Sequence, residues 1–255
     1  MNIQNLYDLS GKTALITGAS RGIGQAVAVA MACCGADIIC VSNNFPEGSE
    51  AEKAAKAYGR HFSKYSIDFS SREAVYHFLK VLKEKENPVD ILVNNAGTIV
   101  RKPLAEHDDD TWDKVLSVNL HTQFILAREL GKEMVARKKG KIIFTCSMLS
   151  YQGGINVASY TASKSAVAGV IKAFANEWAS SGVNINGIAP GYIATDNTAA
   201  LQSDAARSKA ILERIPAARW GTPEDMAAPY VFLAAAASDY VNGTILNVDG
   251  GWMGR

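Results

Sequence analysis

The chain has 255 residues, of which 48% are hydrophobic and 20% are charged, and its formal net charge is +1. This length is sufficient for one α/β domain with a single large core. The near-neutral charge gives no electrostatic reason to expect binding to nucleic acid or to an anionic membrane surface. The sequence also lacks an apolar run approaching the roughly 20 residues that a membrane-spanning helix needs.

Neither the N-terminal segment nor the cysteines indicate export. The segment MNIQNLYDLSGK has no basic stretch followed by an apolar one, so we expect no secretory signal and a cytoplasmic location. Cys33, Cys34, Cys40 and Cys146 lie in apolar or helix-like runs without metal-ligand spacing. We therefore predict reduced, buried thiols and no metal site.

The first apolar run, 13–17, is typical of a buried parallel strand. A glycine-rich turn follows, with Gly18, Gly22 and Gly24, and leads into an Ala-rich helical segment. Such a turn lets the backbone approach a pyrophosphate and directs the free N–H groups of the helix at its charge. The pattern predicts a dinucleotide site, and a tight turn without a ligand is the alternative.

The second apolar run, 38–41, leaves the choice between NAD and NADP open. It ends at Ser42-Asn43-Asn44, where dinucleotide folds often carry an acidic residue that selects NAD. The first acidic residue here is Glu47, and no arginine follows the strand directly to hold a 2′-phosphate. Arg21 in the glycine turn could serve that purpose.

Two further strand candidates also end in polar residues. Asp68 follows the run 62–67 and could accept a hydrogen bond from an adenine amino group, or it could form a turn before a helix cap at Ser70-Ser71. Asn94-Asn95-Ala96-Gly97 follows the run 90–93. Small and amide residues there would let a cofactor pack closely, or would satisfy loop backbone.

Residues 111–136 predict one long helix, in which Asn119 is a poor helix former. A surface position would explain this residue, and a functional requirement is the alternative. Arg101 and Lys102, upstream of this helix, could meet an acidic substrate or could be solvated loop charges.

The stretch 147–170 carries Ser147, Tyr160 and Lys164 after an apolar run. Tyr160 and Lys164 are four residues apart, so on a helix they lie on one face. A free phenol has a pKa of about 10. A desolvated lysine together with a positively charged cofactor ring would lower that pKa. With Ser147 hydrogen-bonded to the substrate oxygen, the three residues predict a proton-transfer site.

A second set, Ser63, Tyr76 and Lys80, has the same spacing, but its context differs. Ligands of open α/β sheets bind beyond the carboxyl ends of the strands. Ser147 lies at such an end, whereas Ser63 lies near the start of its strand. Tyr76 and Lys80 flank the apolar stripe of a helix, so we expect them at boundary and surface positions.

The last third of the chain predicts strands at 183–188 and 245–248. The polar, Ala-rich residues between them suit a substrate lid near 192–216. Thr222 followed by Pro223 predicts a helix start. Trp252 could pack against a neighbouring subunit or within its own.

In chain order, the motifs T-G-x3-G-x-G at 17–24, Asn94-Asn95-Ala96-Gly97, Asn119, Ser147, Tyr160-x3-Lys164 and Pro190-Gly191 resemble the short-chain dehydrogenase/reductase family. The resemblance implies a single α/β domain over 1–255, with a Rossmann-type doubly wound seven-stranded parallel sheet and helices on both faces. It implies Tyr160 as general acid/base, Lys164 as the modulator of its pKa and a ribose ligand, Ser147 as the carbonyl-orienting hydroxyl, and Asn119 in a water-linked proton relay.

The resemblance also implies a cofactor and an assembly. Members are usually homotetramers, built through long helices such as 111–136 and 157–180 and the C-terminal strand. The implied cofactor-binding residues are Gly18, Ser20, Arg21, Gly22, Ile23, Gly24, Asp68, Phe69, Asn95, Ala96, Gly97, Tyr160, Lys164, Ile193 and Thr195.

Runs after residue 140 are similar to members of this family that act on deoxy sugar acids in uronate catabolism and favour NAD. We therefore expect NAD as the cofactor, with NADP as the alternative because of Arg21. A sugar acid needs a cation for its carboxylate, and we expect Arg101, Arg207 or Arg219 to supply it, with Met148 and Gln152 shaping the pocket. The alternatives are a reductase of another carbonyl, such as a 3-oxoacyl thioester or another sugar, and a catalytically silent dinucleotide-binding module.

Overall fold

A seven-stranded parallel sheet forms the centre of the molecule in the computed structural model, which describes residues 3–46 and 48–254. The strand order is β3-β2-β1-β4-β5-β6-β7, and all six pairings are parallel. This confirms the predicted doubly wound sheet. Glu47 lies outside the described residues. The strands are β1 (Thr13–Thr17), β2 (Asp37–Ser42), β3 (Phe62–Ser66), β4 (Ile91–Asn94), β5 (Gly140–Thr145), β6 (Val183–Pro190) and β7 (Ile245–Val248).

Helices cover both faces of the sheet, and the sheet divides the core into two layers. On one face α1, α2 and α9 pack through residues such as Met31, Ala55 and Tyr230. On the other face α3, α5 and α6 pack through residues such as Phe78 and Leu126. The helices are α1 (Gly22–Cys33), α2 (Glu50–Ala57), α3 (Arg72–Lys85), α4 (Asp109–Leu116), α5 (Thr122–Ala136), α6 (Ala158–Trp178), α7 (Ala199–Ser203), α8 (Ala205–Arg214) and α9 (Pro223–Ala234).

The central strands form because their residues are apolar on both faces. All five residues of β1 are buried, as are all four of β4, and such runs suit a sheet that helices cover on both sides. The strand order reverses between β1 and β4, since β1 pairs with β2 on one side and with β4 on the other. This reversal opens a crevice beyond the carboxyl ends of the two strands, where ligands of such folds bind.

The predicted helix over 111–136 is interrupted. It consists of α4 and α5 joined by a π-helical turn, Ser117–His121, in which Asn119 lies. A second difference is α2, which the sequence analysis did not predict. Its N-cap Ser49 accepts a hydrogen bond from the backbone N–H of Glu52, and its apolar stripe consists only of small alanines.

The polar residues after β6 fold into helices and pack on the end of the chain. The segment contains a 3₁₀ turn, Asp196–Thr198, followed by α7 and α8. Ile211 of α8 joins Met148 and Trp252 in a small apolar cluster. Trp252 also contacts Tyr192, with 4.9 Å between the ring centroids, so it packs within its own subunit.

The expectation of buried thiols holds for two of the four cysteines. Cys40 and Cys146 are buried and Cys34 is half-buried, but Cys33 is exposed. None of the described helices is both long enough and apolar enough to span a bilayer.

Candidate active site

The glycine turn between β1 and α1 has the shape of a phosphate cradle. A Cβ added at Gly24 would lie 2.3 Å from the carbonyl oxygen of Gly18, and one at Gly18 would lie 2.9 Å from the Cα of Ala96. Gly18 and Gly22 also have positive φ angles, of 66° and 56°. Arg21, the residue before α1, makes no side-chain cap, so the first N–H groups of the helix are available to an anion. These features fit a dinucleotide pyrophosphate.

Thr17, the last residue of β1, connects the ends of the two central strands. Its hydroxyl donates to the carbonyl oxygen of Val93 at 3.2 Å and accepts the backbone N–H groups of Asn95 and Ala96, both at 2.9 Å. The Asn95 amide in turn donates to the carbonyl oxygen of Thr17 at 3.0 Å. Asn95 thus satisfies backbone groups at the end of β1 and forms a fixed floor beside the glycine turn, and its contact with a cofactor stays a prediction.

Asp68 forms a turn, as one of its two predicted roles required. Its Oδ1 accepts the backbone N–H of Ser70 at 2.8 Å and the Ser70 hydroxyl at 2.6 Å, which together hold the pKa of Asp68 below its usual value. Ser71 caps α3. Asp68 is exposed beyond the end of β3, so an adenine contact through this residue stays a prediction. The neighbouring Phe69 is buried.

Ser147 follows β5 and begins a short 3₁₀ turn. Its hydroxyl oxygen accepts the backbone N–H of Leu149 at 3.1 Å. The turn is fastened to α6, because the Ser150 hydroxyl donates to the carbonyl oxygen of Lys164 at 2.8 Å. These bonds hold Ser147 close to the Tyr160 phenol, whose pKa is raised by burial and only partly lowered by the serine hydroxyl.

Lys164 lies one helical turn after Tyr160, with its Nζ 5.7 Å from the centroid of the tyrosine ring. The lysine is only 2% exposed and donates a hydrogen bond to the carbonyl oxygen of Thr145 at 2.5 Å. Burial lowers its pKa to about 8. The predicted Ser–Tyr–Lys set thus comes together at the carboxyl edge of the sheet.

The pKa of Tyr160 is raised in this structure, whereas a catalytic phenol beside a lysine is expected to have a lowered one. Burial raises it above the usual value, while the hydrogen bond from Ser147 and the charge of Arg101 act in the opposite direction and only partly offset the effect. In the chain alone, desolvation of the phenolate therefore outweighs its neighbours. A lower pKa depends on the positive charge that an oxidised nicotinamide ring would add.

Asn119 is fully buried, so the alternative of a surface position is wrong. Its Oδ1 accepts the backbone N–H of Thr98 at 2.8 Å, and its Nδ2 donates to the carbonyl oxygen of Thr98 at 2.9 Å and to the Ser163 hydroxyl at 3.1 Å. A π-helical turn widens the helix where this side chain leaves it, and such turns are frequent at functional sites. Gly97 adjoins both Asn119 and Lys164: a Cβ added there would lie 3.4 Å from Asn119 Oδ1 and 3.9 Å from Lys164 Nζ.

The residues after β6 reach back to the glycine turn. Ile193 is buried and pairs with Gly221 through a single β-bridge. The Thr195 methyl group lies 3.5 Å from the position that a Cβ of Gly22 would occupy. Arg21 pairs with Asp196 at 3.1 Å. The crevice is therefore bounded on one side by α1 and on the other by the start of the predicted lid.

The three arginines expected to meet a substrate carboxylate are placed very differently. Arg101 donates to the carbonyl oxygen of Asn197 at 3.3 Å, and its charge acts on the Tyr160 phenol. Arg219 is paired with Asp225 through two bonds of 2.6 and 2.9 Å. Arg207 is exposed on α8. Of the three, Arg101 is the one whose charge contributes to the pKa of the Tyr160 phenol, as a smaller effect than burial.

The other substrate candidates and Lys102 are also located. Met148 is buried directly after Ser147, and Gln152 is half-buried four residues later. The Lys102 ammonium pairs with Asp108, so the alternative of a loop charge describes it better than a substrate contact. Tyr76 and Lys80, of the second Ser–Tyr–Lys set, are exposed on α3 as predicted.

Comparison with known proteins places this geometry in a family. A family model described as enoyl-(acyl carrier protein) reductase matches residues 18–253. A 2-dehydro-3-deoxy-D-gluconate 5-dehydrogenase from Pseudoalteromonas atlantica is 60% identical over 250 residues, which cover 98% of each chain. An enzyme of the same name from Bacillus subtilis is 49% identical over 253 residues, which cover 99% of each chain. This chain belongs to the short-chain dehydrogenase/reductase family.

The fold agrees with that of a solved member of the short-chain dehydrogenase/reductase family. The structure, from Beutenbergia cavernae, is described as an NAD(P)-dependent gluconate 5-dehydrogenase with bound NADP. It is 44% identical to this chain, has a TM-score of 0.94, and the match covers 98% of this chain and 100% of that one. The resemblance inferred from the motifs is confirmed at full length.

The sequence analysis missed several polar residues that shape the site of this short-chain dehydrogenase/reductase. The Thr145 hydroxyl is 2.6 Å from the hydroxyl of Tyr230, which is fully buried on α9, and it donates to Asn95 Oδ1 at 3.3 Å. The Gln123 amide donates to the carbonyl oxygen of Ala96 at 2.8 Å. No local pattern marks these contacts, because they join residues far apart in the chain.

Proposed function

We propose that this chain is an NAD(P)-dependent oxidoreductase that transfers a hydride between the nicotinamide and a hydroxyl or keto carbon of a deoxy sugar acid, such as 2-dehydro-3-deoxy-D-gluconate. The observation that carries the proposal is the convergence of Ser147, Tyr160 and Lys164 at the carboxyl edge of the sheet, beside the glycine turn. The names of the relatives support a sugar acid rather than an acyl thioester as the substrate.

In this mechanism Tyr160 exchanges the proton of the substrate hydroxyl, and Ser147 holds the same oxygen by a second hydrogen bond. Nicotinamide supplies or accepts the hydride at its C4 atom when it is bound. We assign to Lys164 a charge that would favour the phenolate when the cofactor is bound, and the hydrogen bond to the Thr145 carbonyl oxygen fixes its ammonium group. Asn119, held by Thr98 and Ser163, orients the backbone next to Lys164 and completes the proposed proton relay.

The pyrophosphate is assigned to the N–H groups at the start of α1, with Gly18, Gly22 and Gly24 leaving the space for it. Asp68 and Phe69 would lie at the adenine end, and Asn95, Ala96 and Gly97 would lie under the ribose and nicotinamide. Ile193 and Thr195 would contact the carboxamide. The remaining residues assigned to the cofactor are Ser20, Arg21 and Ile23 in the glycine turn, with Tyr160 and Lys164.

Arg101 is the residue that we assign to the substrate carboxylate. Its charge already acts on Tyr160, and its bond to the Asn197 carbonyl brings it across the opening of the crevice. Met148 and Gln152 would line the pocket. Arg207 would reach the substrate only if α8, which carries it, moved toward the pocket. Residues 192–216 would form a lid over this pocket.

The enzyme is proposed to be a cytoplasmic homotetramer. Aromatic side chains on the outer faces of two long helices support this assembly: Phe124 of α5 is 36% exposed, and its ring centroid is 5.6 Å from that of Phe174 on α6. Leu246 on the edge strand β7 is also exposed. Light scattering during size-exclusion chromatography, which should give about four times the chain mass, tests the assembly.

The deciding experiment follows the absorbance of NADH and of NADPH separately, with 2-dehydro-3-deoxy-D-gluconate or its 2,5-diketo partner. Tyr160→Phe should lower kcat by a factor of about 10² to 10⁴. Tyr76→Phe is the matched control, because Tyr76 is an exposed tyrosine with the same lysine spacing, and it should leave kcat unchanged. A Tyr160→Phe variant with more than a tenth of the wild-type kcat would remove Tyr160 from the mechanism.

The outcome with the wild-type chain separates the alternatives. Turnover of a 3-oxoacyl thioester or another carbonyl, without turnover of the sugar acid, would replace the substrate and keep the mechanism. Tight cofactor binding without turnover of any carbonyl would support a silent dinucleotide-binding module.

A further inference from the structure

An ion pair joins the glycine turn to the segment after β6. The Nε of Arg21 lies 3.1 Å from Oδ2 of Asp196, and the two side chains are 70% and 75% exposed. Asp196 begins the 3₁₀ turn Asp196–Thr198. We propose that Asp196 tunes the choice between NAD and NADP by holding the Arg21 guanidinium away from the position of a cofactor 2′-phosphate.

Arg21 is close to the strand end where the adenosine ribose of a dinucleotide is read. The hydroxyl of the preceding residue, Ser20, lies 2.9 Å from the hydroxyl of Ser42, the last residue of β2. Folds of this type select NAD through an acidic side chain after this strand and accept NADP through a nearby arginine. Here the strand is followed by neutral Asn43 and Asn44. Arg21 is therefore a cation within reach of a 2′-phosphate.

Lys53, a cation on the helix that follows β2 in the chain, is already engaged. Its ammonium group pairs with Glu50 at 2.7 Å on the same helix, α2. The selection between the two cofactors consequently depends on what the Arg21 guanidinium contacts.

Asp196 is held in position to compete for that guanidinium. The hydroxyl of Thr198 accepts the backbone N–H of Thr195 at 3.1 Å and donates to the carbonyl oxygen of Ile193 at 2.7 Å. Arg101 holds the same turn from the opposite side through the carbonyl oxygen of Asn197. These bonds fix the backbone of the turn that carries the Asp196 carboxylate close to Arg21. A 2′-phosphate must displace this carboxylate before it can pair with the Arg21 guanidinium.

The effect should be moderate, because an exposed ion pair contributes little. Asp196→Asn should lower the Kd of NADPH by about threefold to fivefold and leave the Kd of NADH within a factor of about 1.5. Arg21→Gln should raise the Kd of NADPH by at least about threefold. In the double variant the Asp196 substitution should have no further effect, because the two side chains act through one contact.

The measurement is a titration of the full chain with NADH and NADPH, followed by cofactor fluorescence without any sugar acid. Glu213→Gln is the control, because it makes the same change of charge in the same segment, on α8. The titration reads cofactor affinity alone, so its outcome is independent of whether the proposed sugar-acid activity is correct.

Three results would overturn the inference. If Asp196→Asn lowers the Kd of NADH and the Kd of NADPH by the same factor, Asp196 acts on the pyrophosphate that both cofactors share. Unchanged affinities for both would show that the pair with Arg21 does not compete with the cofactor. A gain for NADPH that persists in the Arg21→Gln background would show that Asp196 acts without the arginine.

Discussion

Replacing Lys164 with methionine tests whether a buried ammonium group weakens the fold. Methionine keeps most of the side-chain length and removes the charge. Burial lowers the pKa of Lys164 from 10.5 to about 8, and a difference of this size corresponds to about 3 kcal/mol between the charged and neutral forms. The lost hydrogen bond to the Thr145 carbonyl offsets about 1–2 kcal/mol of this at neutral pH.

The sign of the pH dependence follows from the lowered pKa. Below pH 8 both the folded and the unfolded chains carry the proton, and the folded state bears the whole penalty. Between pH 8 and 10.5 the folded chain loses the proton first, so wild-type stability rises relative to the variant. We expect Lys164→Met to be more stable than wild type at pH 7. Its advantage should fall by about 2–3 kcal/mol by pH 10.

The assay is urea unfolding of both proteins at equal concentration and at pH 7, 8, 9 and 10. The comparison cancels the titration of cysteines and of most tyrosines, because both proteins contain them. A stability difference that stays constant within about 0.5 kcal/mol over this range would refute the assignment of a buried, charge-bearing Lys164. Loss of turnover in the variant is expected in either case and does not decide the question.

Three further substitutions test the site from other directions. Gly24→Ala should abolish cofactor binding in a fluorescence titration, because its Cβ would meet a backbone carbonyl oxygen at 2.3 Å, whereas Gly153→Ala, with open space, should bind normally. Asn119→Ala should lower the free energy of unfolding by about 2–3 kcal/mol in urea, since it leaves buried backbone groups without partners. Arg101→Ala should raise the KM for the sugar acid about tenfold or more. Arg219→Ala should leave the KM unchanged, because the Arg219 guanidinium is paired with a carboxylate. Equal KM values for the two variants would contradict the assignment of Arg101.

The parts of the fold that the sequence predicts are those with a local physical cause. A run such as 13–17 is apolar because helices cover both faces of its strand, and the strand at 245–248 and the helix start at Thr222 were located to the residue. The order of the motifs then predicted a parallel sheet. In such a sheet the polar residues that follow the strands all lie at the carboxyl edge.

The parts that the sequence does not predict depend on contacts between distant residues. Asn119 signals only that a helix carries an unfavourable residue; the π-helical turn that accommodates it depends on Thr98 and Ser163, which lie 21 and 44 residues away. Tyr230 is typical of a helix core, and its hydrogen bond to Thr145 spans 85 residues. The helix α2 was missed because its buried face consists only of alanine, which leaves a weak apolar pattern.

The buried residues of the site and the residues at its opening also differ in what a substitution is expected to change. Lys164 and Asn119 are buried and held by two or more elements, so we expect a substitution there to change the proposed proton-transfer step or the fold itself. Arg21, Asp196 and Arg101 lie at the opening of the crevice and contact one another's loops through single bonds. Exchange of such residues alters a contact worth a few-fold in affinity without disturbing the sheet. We therefore expect substitutions at the opening to change the cofactor and substrate preference of this chain while the buried residues that we assign to proton transfer stay in place.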